Sequence, residues 1–218
     1  MIDENRITTY IEPFVGGANM IDKIHCANRW GNDIHKQLIA LFNHIQTGWR
    51  PPEHISEDEY NNVRLNKECY PDWYVGFVGF NATFGSKYFG GYARGFKADK
   101  TTPRDIPNEA IRNLINQIPS ILDVKFTSGN YLDIFKDVVN AVIYCDPPYE
   151  GTTKYSTENF NHQEYWDWVR HISKNNIVLC SEYNAPDDFK CIWSKSVTTS
   201  LKVKEHEDRV EKLFIYRN

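Results

Sequence analysis

The sequence predicts a doubly wound, mostly parallel α/β sheet carrying a small insert. Three observations predict it. The chain has 218 residues and 41% hydrophobic content, enough for one α/β domain with a real core. Short apolar runs alternate with segments of helical period, the pattern of strands joined by crossover helices. One Gly- and aromatic-rich stretch, Pro71 to Arg104, breaks that rhythm and reads as an insert or surface excursion.

Thr8 to Phe14 reads as the first strand, ending in Pro-Phe-Val-Gly-Gly, where Gly16 and Gly17 permit a tight turn. A second strand fits Cys26 to Asp33. Ile34, Leu38, Leu41, Phe42 and Ile45 recur at helical spacing, so Ile34 to Thr47 is an amphipathic helix that Gly48 and Pro51-Pro52 end. Ser56 is placed to cap a helix over Glu57 to Asn66. After the insert, Asn108 to Ile118 is helical, and Val124 to Thr127 and Ala141 to Cys145 are short strands. Asn161 precedes Glu164 by three residues, a capping-box pattern opening a helix with Tyr165, Trp168, Val169 and Ile172 on one face. Ile177 to Cys180, Lys190 to Trp193 and Lys212 to Tyr216 complete the strands. There is no internal repeat.

Composition narrows the function classes. No run approaches about 20 consecutive apolar residues, which argues against a membrane partner. Met1 to Thr9 lack an apolar signal core, so a cytoplasmic location is expected. The five cysteines have no CxxC spacing and no Cys/His cluster, so they read as reduced thiols with no metal site. The net charge of −4 disfavours a blanket nucleic-acid binder, but Lys87 to Arg104 carries five basic residues against Asp99 alone. The aromatic share of 14% fits either a large core or flat ligands.

Two motifs follow strands, where open α/β sheets bind ligands. The first is Glu12-Pro13-Phe14-Val15-Gly16-Gly17. It matches neither GxGxxG nor a P-loop. Asp33 closes the second strand, where an acid can bond both hydroxyls of a ribose; it can equally cap the helix from Ile34. Together they suggest an adenosine-type ligand. The second is Asp146-Pro147-Pro148-Tyr149. Its prolines stiffen the turn. The Asp146 carboxylate and Pro147 carbonyl can grip an exocyclic NH₂, and Tyr149 offers a face for a base to stack on. An amine conjugated to a ring is a poor nucleophile, so orienting it has chemical purpose. The bland alternative is a rigid turn with a surface aspartate.

The order of Tyr10 to Gly17, then Asn32-Asp33, then Asp146 to Tyr149 resembles the Dam-like DNA adenine N6-methyltransferases of the alpha class, from about Tyr10 to the C-terminus. Short phage-type members are similar in Trp73 to Phe80, Phe89 to Gly95, Gly151 to Tyr155 and Ser181 to Pro186. The resemblance implies a Rossmann-like methyltransferase core over 1–70 and 105–218 and a target-recognition insert over 71–104. It implies S-adenosylmethionine as methyl donor, with Glu12, Pro13, Phe14, Gly16 and Gly17 lining its methionine half and Asp33 on its ribose. Asn130 and Tyr131 stand where the family usually has Asp-Phe near the cofactor adenine. Asp146, Pro147, Pro148 and Tyr149 would be catalytic, acting on an adenine flipped out of double-stranded DNA. Cytosine N4 or an RNA base is the alternative target.

Within the basic stretch, Arg94 suits a base edge and Lys87, Lys97 and Lys100 suit phosphates. No histidine is needed as base, so the seven read as surface or packing residues. The family's Gly-Lys cofactor segment does not precede Tyr10. That departure motivates two expectations: a homodimer through an uncovered sheet flank, and, as the rival function, a degenerate methyltransferase that binds DNA or cofactor without turnover. Restriction protection, regulation and phage defence are the candidate roles.

Overall fold

The computed structural model describes residues 8–97, 99–149, 160–198 and 208–217. In chain order the strands are β1 (Thr9–Glu12), β2 (Asn28–Asp33), β3 (Gly95–Phe96), β4 (Pro103–Arg104), β5 (Lys125–Ser128), β6 (Ala141–Cys145), β7 (Ile177–Glu182), β8 (Phe189–Thr198) and β9 (Asp208–Tyr216). The helices are α1 (Lys36–Gln46), α2 (Glu57–Leu65), α3 (Asp72–Asn81), α4 (Ile106–Gln117), α5 (Tyr131–Ile134) and α6 (His162–Ile172). The chain divides into two compact units. One comprises Met1–Val15, Ile24–Asn32 and Asn130–Asn218; the other comprises Gly16–Lys23 and Asp33–Gly129.

The first unit is built on a mostly parallel, Rossmann-like sheet. Its strands run β2-β1-β6-β7-β9-β8. The first four are parallel, with β1 registered on both β2 and β6. An antiparallel hairpin, β8–β9, closes the edge on β7. The apolar content of β6 (Ala-Val-Ile-Tyr-Cys) follows from its central place, because a parallel strand buries both faces. Ile11, Ile143, Cys145, Val178 and Cys180 meet Tyr165, Trp168, Val169 and Ile172 of α6 in one core. The N-cap predicted for α6 is present: the Asn161 side chain accepts from the Glu164 N–H at 3.1 Å. Arg170 on the same helix grips Asp188 through two nitrogens, Nε at 2.6 Å and Nη2 at 3.0 Å.

The second unit is helical apart from β5 and the β3–β4 hairpin. Ser56 caps α2 as expected, accepting from Glu59 N–H at 3.1 Å. Asp105 caps α4. Phe42 of α1 stacks on Phe126 of β5, with ring centroids 4.8 Å apart. One element departs from the sequence expectation. Asp72–Asn81, at the start of the stretch read as a surface excursion, is a helix whose Val75, Phe77 and Val78 are buried. It approaches α1 so closely that a Cβ on Gly76 would sit 2.1 Å from the Gln37 carbonyl oxygen. Two histidines pack here: His35 against Tyr88, and His44 stacked on Trp73 with centroids 3.9 Å apart.

All five cysteines are free thiols, with Cys145 and Cys180 buried. Among the described residues, no helix is long and apolar enough to cross a membrane, and no cluster of three His, Cys, Asp or Glu could hold a metal ion.

Candidate active site

Strand order decides where chemistry can sit in the first unit. From β1 the chain next adds β2 on one side, while β6 and β7 build the other. The switch point therefore lies between β1 and β6, and both sequence motifs begin at the carboxyl ends of these two strands.

Asp146 is the first residue beyond β6. β6 pairs with β7 in parallel, Cys145 facing Cys180, so Asp146 and Ser181 stand side by side. The Tyr149 and Ser181 hydroxyl oxygens are 2.5 Å apart. Tyr149 sets its ring at 83° to that of Tyr183, with centroids 4.7 Å apart. Asp146 is an exposed residue with a crowded carboxyl. Desolvation pushes that carboxyl above the ordinary aspartate range and Glu211 adds repulsion, while hydrogen bonds from Tyr149 and Ser181 pull it back. Burial and the Asp146 charge push the Tyr149 phenol up. Burial raises Tyr144, on the same strand, to about 12. All these hydroxyls therefore stay protonated at neutral pH and can donate hydrogen bonds. Pro147 is buried and Pro148 exposed.

At the end of β1, Glu12 is buried and accepts from the Tyr10 hydroxyl at 2.9 Å. The turn after it is tied to β2: Val15 N–H donates to the Asn32 carbonyl at 2.7 Å, and the Asn32 amide donates to the Pro13 carbonyl at 3.2 Å. Phe14 is thereby held against Tyr131, Phe160 and Tyr165, with centroids 4.9, 5.7 and 5.9 Å away. Asn130 caps α5 through Leu132 N–H at 3.0 Å, which fixes Tyr131 at the helix start. The result is a buried carboxylate and a set of aromatic faces in one unit.

In the second unit, the Asp33 carboxylate accepts from Gly16 N–H at 3.1 Å and from His35 N–H at 2.9 Å. Burial raises its pKa and these two bonds lower it. Asp33 thus bonds the residue before α1, and the cap position itself is His35. Gly16 has φ +46°, and nothing lies within 4 Å of where a Cβ would be, so the glycine is there for backbone conformation and not for lack of room. A Cβ on Gly17 would meet the Asn19 side chain at 2.8 Å.

The basic stretch of this unit is anchored, and its charges fall into two kinds. Tyr92 donates to the Ile55 carbonyl at 2.8 Å, and Gly91 N–H donates to the Tyr60 hydroxyl at 3.1 Å. Asp99 is consumed by the β3–β4 turn, accepting from Thr101 and Thr102, which hold its carboxyl down at about 2. Arg94 pairs with Glu57, and Arg104 pairs with Glu109. Among the described residues Lys87, Lys97 and Lys100 form no ion pair, and all three are exposed.

The structure also brings up residues to which sequence reasoning gave no role. Ser181 and Glu211 act on Asp146, Tyr183 packs on the Tyr149 ring, and Phe160 joins the Phe14 cluster. Ser181 and Tyr183 stand in a segment the sequence reading quoted only as a resemblance; their pairing with Asp146 and Tyr149 is long-range, so no local signal marked it. Gly151 to Tyr155 lie outside the described residues, as do Lys202 to Glu207.

No curated protein matches the chain. Among solved structures, the crystal structure of SMU.472 complexed with SAH is similar at a TM-score of 0.35 and 10% identity. The match covers 97% of this chain and 49% of that one, so the present chain spans about half the length of that relative. The family model for D12 class N6 adenine-specific DNA methyltransferases matches residues 1–208. With nearly the whole sequence matched, and with its two motifs at the switch point of a mostly parallel sheet, the chain belongs to the D12 class N6 adenine-specific DNA methyltransferase family.

Proposed function

We propose that the chain transfers a methyl group from S-adenosylmethionine to the N6 amine of an adenine flipped out of double-stranded DNA. Family membership implies that cofactor. The single observation that carries the reading within the site is the Asp146 turn: a carboxylate and a braced aromatic ring at the end of β6, beside the switch point.

The residues present fit the cofactor. Glu12 offers a buried carboxylate, Phe14 and Tyr131 offer flat apolar faces, and Asp33 offers carboxylate oxygens held by backbone donors. Each Asp33 carboxylate oxygen takes one backbone N–H and has a second lone pair suited to a ligand hydroxyl. When bound, S-adenosylmethionine supplies an electrophilic methyl carbon on a positively charged sulfur. Glu12, with Pro13, Phe14, Gly16 and Gly17, is assigned to its methionine half, Asp33 to its ribose, and Asn130 and Tyr131 to its adenine side.

Asp146 and the Pro147 carbonyl accept from the two amine hydrogens of the target, which aims the nitrogen lone pair. Tyr149 stacks on the extruded ring, offsetting part of a flipping cost of a few kcal/mol, about one lost stack. The remaining gain is positional, as in any two-substrate transfer. Residues 71–104 serve as the recognition segment. Lys87, Lys97 and Lys100 meet phosphates, and Arg94 reads a base edge after release from Glu57.

The test is transfer of labelled methyl from S-adenosylmethionine to duplex DNA, followed by mapping of the modified base. Asp146→Ala is expected to abolish transfer while leaving cofactor binding intact. Surviving activity would show the amine grip to be wrong. Cofactor binding without turnover in the wild type would favour the degenerate binding module, which the intact Asp146 turn argues against.

A further inference from the structure

We propose that Ser181 is a positioning residue that orients both Asp146 and Tyr149 for the extruded base. The inference rests on the methyltransferase reading above but uses different observations. Cys145 and Cys180 are register partners in the parallel pair β6–β7. Side chains alternate along a strand, so Tyr144 and Asp146 project to the face opposite Cys145, and Ser181 projects to the face opposite Cys180. The three polar side chains are thus delivered to one face at the carboxyl end of the sheet. Ser181 is 9% exposed there, so its hydroxyl must be satisfied within the protein.

It is satisfied by functional partners. Its oxygen is 2.5 Å from the Tyr149 hydroxyl, and strand register sets it beside Asp146, where it favours the ionised carboxyl. A seryl hydroxyl has one proton and two lone pairs. The Ser181 proton goes to the Asp146 carboxylate, and its lone pairs share the Tyr149 proton with that carboxylate. A carboxylate has about four acceptor sites. The contact therefore fixes the rotamer of Asp146 and still permits the carboxylate to accept an amine hydrogen. At the other end of the tether, Tyr183 buttresses the ring edge-on at 4.7 Å. Hydroxyl and ring together leave Tyr149 one plane in which to present its face. Without Ser181 the Tyr149 ring can swing about its Cα–Cβ bond and the Asp146 carboxylate can turn.

The experiment compares Ser181→Ala and Ser181→Thr with the wild type. Loss of the hydroxyl is expected to lower kcat by about 10- to 100-fold, the scale of a small misplacement of a reacting group. KM for S-adenosylmethionine should stay within about twofold, since cofactor residues are untouched; this follows from the loss being one of orientation. The acid limb of kcat should move to higher pH in Ser181→Ala, because a hydrogen bond that favours the carboxylate is gone. Ser181→Thr should restore most of both. A wild-type kcat and pH profile in Ser181→Ala, or equal impairment of the two variants, would overturn the proposal. A readout free of turnover separates it from the methyltransferase reading. The ¹³C carboxyl signal of Asp146 should titrate at higher pH in Ser181→Ala and return in Ser181→Thr; an unmoved midpoint overturns the role of Ser181. A wild type that methylates no DNA would sink the methyltransferase reading alone, and the carboxyl titration would still decide this one.

Discussion

In the proposed mechanism Asp146 concentrates the chemistry in one carboxyl group. It must be ionised to accept both a serine proton and an amine hydrogen, yet desolvation and Glu211 both favour its protonated form. The sign follows directly. A raised pKa means the carboxylate forms only at higher pH, so the acid limb of kcat lies above that of an ordinary aspartate. Glu211→Gln removes the like charge and is expected to shift that limb to lower pH. Rate measurements across pH at saturating cofactor and DNA would check it, and an unmoved limb would exclude Glu211 as an influence. The turn that begins at Asp146 was legible in the sequence, because two prolines after an apolar strand announce it. Glu211 was not legible. It lies on β9, and only the antiparallel pairing of β9 with β7 brings it near.

At the scale of elements, α1, α2, α4 and α6 were readable, and α3, which lacks amphipathic patterning, was not. Ser56 and Asn161 cap the helix starts where the sequence placed them, Asn161 by its spacing to Glu164. α3 reads Asp-Trp-Tyr-Val-Gly-Phe-Val-Gly-Phe-Asn, apolar on every side with two glycines. Such a segment has no stripe to reveal its period and carries two poor helix formers, so it resembles an irregular loop. Its packing explains the composition. Gly76 is where α1 and α3 touch, and the atom a Cβ would strike is backbone, which cannot rotate away. Gly76→Ala is therefore expected to destabilise the protein by about 1–3 kcal/mol despite the better helix propensity of alanine. Thermal unfolding would measure it. An unchanged or raised Tm would contradict the close approach.

For the molecule as a whole, charge distribution matters more than net charge. The total is −4, while Lys87 to Arg104 carries five bases and one acid. Asp99 bonds to its own hairpin turn, and the two arginines are paired, which leaves Lys87, Lys97 and Lys100 of this stretch exposed and outside the ion pairs of the described residues. If these lysines meet phosphates, Lys97→Ala should weaken duplex binding equally for all sequences. It should also reduce the slope of log affinity against log salt by about 0.9, the value of one phosphate contact. A titration series in salt would test this, and a sequence-dependent loss would reassign Lys97 to base readout.

The sequence by itself determined the class of sheet, the strand-to-motif order and the residues that end β1 and β6. These are local properties: apolar period, proline stiffness, glycine turns and caps all act over a few residues. Only the tertiary structure decided which side chains serve Asp146 and Tyr149. Ser181 lies 32 residues beyond Tyr149 in the chain. It arrives because β7 aligns beside β6, and strand register is set by pairing across the sheet, which no window of sequence contains.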